Sequence, residues 1–443
     1  MIAVLIFLRS YAITPPSFHL SREEELRATF GAFLETGVPL IKSKGSGSWY
    51  THLPEAPRQY EPSAWDDDPG AYLVASYVGR AGGFVDPYEP LHLVMAFLAA
   101  LPWLVLPLAM ARLFGRVSAG LMVLLAPLAG LLLRGNLLLG NDYGQTGKGT
   151  GSIYATYGIP SAWLFLWLSL LLLIATVPFR WWRTVVLILV VGAAAGLGNL
   201  LRSWTGLGIA IALGVLLALN IERRRLLTGA AVGMVTFTVS LSVQWLTIGV
   251  INNQRATFTG VPAAEVPEGH PIWHTLYLGL GYQGALDGYA TPNPFGIEWS
   301  DTFAWEKARE MKPDVVLFSA EYESILRRLY LEEVGKHGWL VTGTYFVKLA
   351  DTLIQNAWSL LFIGATAVGL AAFRQHPKGF TVGLGIAAPL MVVGVLPPVL
   401  AMPLKYYFVE LTPALGVLVI VTTSSCSYLI SGIKERLTDE SPA

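Results

Sequence analysis

Apolar positions in this chain gather into long uninterrupted runs instead of alternating with polar ones. A helical run must reach roughly 20 residues to cross the ~30 Å hydrocarbon layer of a bilayer. Runs of that order fall at 91–114, 117–133, 159–179, 184–201, 204–221, 226–251, 353–373, 380–401 and 407–430. The stretch 1–13 is also apolar, but it is short and Arg9 interrupts it. It carries neither a basic n-region nor a small-residue cleavage site, so it reads as a short or trimmed first span and not as a signal peptide. The pattern predicts an all-α, polytopic membrane protein of about ten transmembrane helices, a single transmembrane domain over 1–443.

Lysine and arginine in the short connections set the orientation, because cytoplasmic loops are enriched in both. Arg112 and Arg116, Arg180 and Arg183, Arg223 to Arg225, Arg374 and Lys378, and Lys434 and Arg436 occupy every second connection and the tail. All of them fall on one side, which puts both termini in the cytoplasm. The segments 14–90, 134–158 and 252–352 are then extracytoplasmic, and they are the long, polar, aromatic-rich parts of the chain. Connections of that length usually carry function. Helical spacing of Tyr322, Ile325, Leu326 and Leu329 predicts an amphipathic helix over 321–336,. A second helix is expected over 21–34, with Ser21 as its cap and Glu23, Glu24 and Glu25 in its first turn,.

Composition agrees and narrows the class. Of 443 residues 53% are hydrophobic and only 14% charged, with a mean hydropathy of +0.53, too little charge for a soluble surface of this size,. A net charge of zero argues against a nucleic-acid partner and gives no sign of a polybasic lipid-binding tail,. Cys426 is the single cysteine, which rules out an intrachain disulfide and a cysteine metal site,.

Candidate chemistry lies in the outward segments. Asp66, Asp67 and Asp68 precede Pro69 and Gly70. Three adjacent carboxylates cannot all ionise at their ordinary pKa, so at least one is expected to be shifted up and to suit a general base acting on a hydroxyl. A solvated Asp-Pro-Gly turn is the plainer alternative. Arg134, Arg202, Arg255, Lys348 and Lys405 form a second set, outward cations close to helix ends. A lipid phosphate would pair with such groups, as would snorkelling to bulk headgroups. His270 and His274, four apart, and Glu298 and Asp301, three apart, make a third set. Metal ligation, substrate contact and plain packing all fit that spacing; the reading carried forward is substrate contact, with no metal and no other cofactor. No phosphate-binding loop and no nucleophile elbow occur.

Three places resemble the polytopic GT-C glycosyltransferases, which use lipid-linked sugars and include protein O-mannosyltransferases and aminoarabinose transferases. Asp67-Asp68-Pro69-Gly70-Ala71-Tyr72 resembles the acidic motif of their first outer loop. The stretch 321–353 resembles their amphipathic helix with its lysine-bearing return into the membrane, and Lys405-Tyr406-Tyr407 through Pro413 resembles their Arg-Tyr…Pro approach to a late helix, with lysine for arginine. The resemblance implies inverting transfer of a sugar from a polyprenyl-phosphate carrier to an extracytoplasmic glycan, lipid or protein acceptor. Asp67 or Asp68, beside Asp66, would be the base; Lys348, Lys405 and Arg255 would stabilise the leaving phosphate. Tyr72, His270, His274, Glu298 and Asp301 would line the substrate. A lipid-linked-glycan polymerase or ligase, signalled by Arg255, Arg309, Arg327 and Arg328, is the alternative enzyme. A transporter or flippase is the alternative outside enzymes, and the near absence of intramembrane carboxylates weighs against it.

Overall fold

The computed structural model describes residues 2–12, 20–47, 58–63, 68–115, 155–178, 180–220, 225–262, 272–282, 293–372, 377–403 and 408–439. Helices dominate: α1 (Ile2–Ala12), α2 (Leu20–Thr36), α3 (Gly70–Gly82), α4 (Tyr88–Ala100), α5 (Pro102–Phe114), α6 (Ala155–Ile174), α7 (Trp181–Leu201) and α8 (Thr205–Asn220) fill the first half. They are followed by α9 (Arg225–Thr259), α10 (Ile272–Gly279), α11 (Asp301–Met311), α12 (Ala320–Gln355), α13 (Ala357–Ala372), α14 (Lys378–Leu400) and α15 (Leu411–Asp439). One antiparallel ribbon, β1 (Ile41–Ser43) paired with β2 (Tyr60–Pro62), lies just before the acidic motif, with Lys42 opposite Glu61.

Five described helices are long and apolar enough to cross a membrane: Tyr88–Phe114, Trp181–Leu201, Leu226–Thr259, Lys378–Leu400 and Leu411–Tyr428. The first joins α4 and α5 through Leu101, whose backbone stays helical, so Pro102 falls where its missing N–H costs little,. Ala320–Gln355 and Ala357–Ala371 together make a sixth, bent by 70° at the break between them. Two more apolar helices, Gly158–Ile174 and Thr205–Leu219, are shorter. The expected span at 117–133 lies outside the described residues. Helix α1 has 11 residues, about 16 Å of rise, well short of the hydrocarbon thickness,.

One expectation is met and another changes. The amphipathic first half of α12 ends at a non-helical φ/ψ at His337, one residue past the expected boundary at 336, and an apolar second half runs on to Gln355. Ser319, in extended backbone, caps it by accepting the Tyr322 N–H, and Glu321 and Glu323 complement the dipole of its first turn,. Helix α2 begins at Leu20, so Ser21 lies inside it and not at its cap.

The main core is an apolar cluster shared by α5, α6, α8, α14 and α15, including Leu106, Leu168, Leu213, Ile386 and Val417. Helices α8 and α9 cross in near contact, since a Cβ on Gly214 would sit 2.6 Å from the Gly229 carbonyl. Small residues at such crossings replace the hydrophobic drive that lipid removes. A separate core forms from α10, α11 and the first half of α12, around Tyr277, Trp305, Phe318 and Tyr322.

Two of the basic connections meet at one end of the bundle: Phe114, two residues after Arg112, packs on Gly379, next to Lys378, and Leu219 packs on Gly385. The connections read as outward meet at the other end: Asp68 bonds Ser203, Thr205 bonds Glu410, Ser161 bonds Val409 and Lys348 bonds Leu400.

This arrangement predicts a labelling pattern. In a Cys426→Ser background, a cysteine at Glu306 should react with a membrane-impermeant maleimide applied to intact cells, whereas one at Arg180 should react only after permeabilisation. Equal labelling of both from outside would break the assigned orientation.

Candidate active site

Asp68, the last acid of the motif, is docked and not solvated. Asp66 and Asp67 lie outside the described residues; Asp68 is 4% exposed. Pro69 and Gly70 start α3 directly behind it, and Gly70 sits on the last turn of α7. A Cβ there would lie 2.5 Å from Leu201 Cα and 2.6 Å from the Leu200 carbonyl oxygen. Glycine is therefore required for close approach of backbone to backbone. That contact brings the Ser203 hydroxyl onto Asp68, donating to Oδ1. Asp68 Oδ2 is buried with no hydrogen-bond partner.

Ser203 belongs to the turn 202–205 between α7 and α8. Trp204 takes the left-handed backbone, φ 73°, which costs a residue with a Cβ roughly 1–2 kcal/mol,, and its indole remains 55% exposed. Thr205 donates to Glu410 Oε1 at 3.2 Å, while Glu410 Oε2 is buried without a partner. Arg202 and Asp68 both lie within charge–charge range of Glu410. Asn199 fixes the turn by accepting the Gly206 N–H at 2.7 Å and donating to Ser240 at 3.2 Å. The Glu410 backbone is fixed in turn, with Ser161 donating to the Val409 carbonyl at 2.7 Å and Gly394 of α14 in near contact with the Leu411 nitrogen.

On the chain side preceding the motif, buried charges hold the ribbon. Lys42 is fully buried, 3.1 Å from Glu25 and 3.8 Å from Glu61. The Ser63 hydroxyl donates to Glu25 Oε1, and the Ser63 carbonyl accepts from Arg255 Nη2. Arg255, itself fully buried, also donates to Asn252 at 3.0 Å. Tyr72 is buried one helical turn into α3, in a cluster with Leu91, Ile159 and Ile251.

Lys348 is buried near the far end of α12. Its ammonium donates to the Leu400 carbonyl at 3.2 Å and lies 5.0 Å from the centre of the Tyr345 ring. Tyr282 donates to Asp351 one turn on, and Gln355 donates to the Pro403 carbonyl at 2.6 Å. Lys405 lies outside the described residues, as does His270. Helix α14 joins this cation to the acidic cluster: Gly394 touches Glu410, and Leu400, which bonds Lys348, is about 9 Å further along the axis,.

His274 is placed elsewhere, inside the outer core. Its Nδ1 is 2.6 Å from the Tyr322 hydroxyl and its Nε2 3.1 Å from Asp301. Glu323 accepts the N–H groups of Trp273 and His274 at 2.9 and 3.1 Å. Burial pushes the Glu323 carboxyl above its ordinary value, against the pull of those two N–H groups. Glu298 is exposed. Hydrogen bonds thus tie His274 and Asp301 into the packing of α10, α11 and α12. Arg327 stacks over Trp273, and Arg328 lies 3.8 Å from Glu332, both on the exposed face of α12. Among the described residues no three His, Cys, Asp or Glu side chains converge as metal ligands. Glu410, Ser203 and Thr205 were not singled out from sequence; Glu410 lies inside the stretch from Lys405 to Pro413 and inside the apolar run 407–430.

No protein-family model matches the sequence, and no curated protein matches it. Solved structures similar to it are membrane glycosyltransferases of the GT-C class. One is the oligosaccharyltransferase AglB from Archaeoglobus fulgidus, in complex with an inhibitory peptide and a dolichol-phosphate: TM-score 0.45, 14% identity, covering 100% of this chain and 52% of that one. A second structure of the A. fulgidus enzyme, with zinc and sulfate, has a TM-score of 0.44 and 15% identity over 98% and 50% of the two chains. ArnT from Cupriavidus metallidurans, in the apo state, has a TM-score of 0.35 and 14% identity over 96% and 74%. The chain spans about half the length of the oligosaccharyltransferase chains it matches. Likeness at these scores fixes no activity, and the reading that follows stands on this chain's own residues.

Two substitutions test the docking. Gly70→Ala should cost about 1–3 kcal/mol by overpacking against Leu200 and Leu201, seen as a lower melting temperature in detergent; an unchanged melt would remove the contact. Lys42→Met leaves Glu25 and Glu61 buried without their cation and should cost about 3–5 kcal/mol, measured the same way.

Proposed function

We propose that this chain is a membrane glycosyltransferase that moves a sugar from a polyprenyl-phosphate carrier to an extracytoplasmic acceptor, with inversion at the anomeric carbon. The single observation that carries the reading is the state of Asp68. It is buried at the outward end of the bundle, oriented through one oxygen by Ser203 and free at the other. A buried acceptor oxygen without a donor is uncommon in folded proteins. A substrate hydroxyl supplies that donor, and the same geometry lets the carboxylate take its proton.

The acceptor oxygen then attacks the anomeric carbon as the bond from that carbon to the carrier phosphate breaks. The electron pair leaves on the phosphate and the proton resides on the carboxyl. Asp67, next in sequence, is the other candidate base, with Asp66 beside it. The leaving phosphate gains charge in the transition state, and cations near it lower that barrier. Lys348 and Arg202, at the same end of the bundle as Asp68, fit this role, and Lys405 is a further candidate from the sequence. Arg255 fits a different one: its guanidinium holds Ser63 and so positions the acidic motif. Tyr72, two residues inside α3 from Gly70, backs the motif from the helix side. His270, His274, Glu298 and Asp301 belong to the outer segment that would cover the acceptor. No nucleotide site is needed, because the sugar arrives activated on the lipid. The protein then sits in the cell membrane with its long segments facing the cell envelope.

Replacing Asp67 and Asp68 each with Asn should lower turnover by a factor on the order of 10²–10⁴ while leaving expression and melting temperature near wild type. The measurement is loss of label from a panel of radiolabelled polyprenyl-phosphate sugars. Near-normal turnover in the double variant would end this mechanism.

A further inference from the structure

The turn 202–205 holds two carboxylates in parallel, and only one of them is used above. Ser203 bonds one oxygen of Asp68, and Thr205, two residues on, bonds one oxygen of Glu410. Each acid keeps its second oxygen buried and without a donor. Glu410 is 1% exposed. Leaving such an oxygen unpaired carries the full desolvation cost of the group. That cost falls at an end where Arg202 and Asp68 already act on Glu410.

The residue between the two hydroxyls is a second, independent sign. Trp204 occupies a backbone region that favours glycine, lies between the two residues whose hydroxyls hold the acids, and is more than half exposed. Strained positions of this kind persist where the surroundings over-determine them, and they gather at binding sites. An exposed aromatic side chain on the turn that holds two carboxylates suits a sugar: the ring stacks on its apolar face and the acids accept from its hydroxyls.

We propose that Glu410 is a sugar-binding residue, its free oxygen accepting a hydrogen bond from one ring hydroxyl while Trp204 stacks on the ring, and that this pair decides which sugar the chain accepts. This deepens the transferase reading and rests on it for the carrier, though not for the binding itself. Asp68 stays the base and Glu410 the anchor. A site that hydrogen-bonds one hydroxyl rejects the analogue that lacks it far more strongly than an apolar pocket does.

The test uses the full chain in detergent and a panel of methyl hexosides and pentosides, each beside its single-deoxy counterparts, with affinity read from tryptophan fluorescence and thermal shift. Wild type should bind at least one glycoside about tenfold or more tightly than one of its deoxy partners. That ratio should fall toward one in Glu410→Leu and shrink in Glu410→Gln, which keeps the size of the side chain and decides the matter where Glu410→Leu does not fold. Trp204→Gly should melt higher, because the strain is relieved, and yet bind the same glycoside several-fold more weakly; a purely structural tryptophan would not part those two readouts. The proposal is overturned by absence of glycoside binding, by deoxy discrimination that survives both Glu410 variants, or by a thermal shift that only a divalent cation produces. Failure of sugar transfer from polyprenyl phosphates, with glycoside binding intact, would instead sink the transferase reading alone.

Discussion

The contact between Gly70 and the last turn of α7 is the constraint on which the end of the bundle that carries Asp68 depends. A methyl group at that position would collide with Leu200 and Leu201. With hydrogen there, α3 can start against the backbone of α7, and the residues on either side of the contact fall into place. Asp68 reaches Ser203; the turn that carries Ser203 also carries Thr205 and reaches Glu410. Three stretches separated by well over a hundred residues thus converge through one missing side chain.

Charge buried at that end is organised in two tiers. Behind the motif, Lys42 sits between Glu25 and Glu61, and Arg255 and Glu25 grip Ser63. Ion pairs of this kind add little net stability over apolar packing, yet they are strongly destabilising when half removed. Their effect here is geometric, since they fix the strand that leads into the acidic residues. In front, Asp68 and Glu410 each retain an oxygen with no donor.

His274 and Asp301, two candidates that spacing singled out, meet at the core of α10, α11 and the first half of α12. His274 and Asp301 lie in the segment expected to touch substrate, and a histidine near carboxylates reads as chemistry in any sequence. Both ring nitrogens of His274 are instead engaged, by Tyr322 and Asp301, within the packing of α10, α11 and α12. A buried histidine with both nitrogens satisfied is the ordinary outcome for a polar group inside a core.

Hydrophobic run length was enough, without coordinates, to define a helical membrane chain. That property is set by local composition against a slab of fixed thickness. The acidic motif was legible too, because adjacent carboxylates stand out in any context. Glu410, Ser203, Thr205 and Trp204 were not, since a lone glutamate, two hydroxyls and a tryptophan at helix ends carry no pattern of their own. Only tertiary packing made them neighbours of Asp68, and it did so through backbone approach at Gly70 and Gly394, a short-range steric fact that no periodicity encodes. The break at Asn356 was hidden because the chain stays apolar and helix-forming through it, and run length alone does not locate a bend.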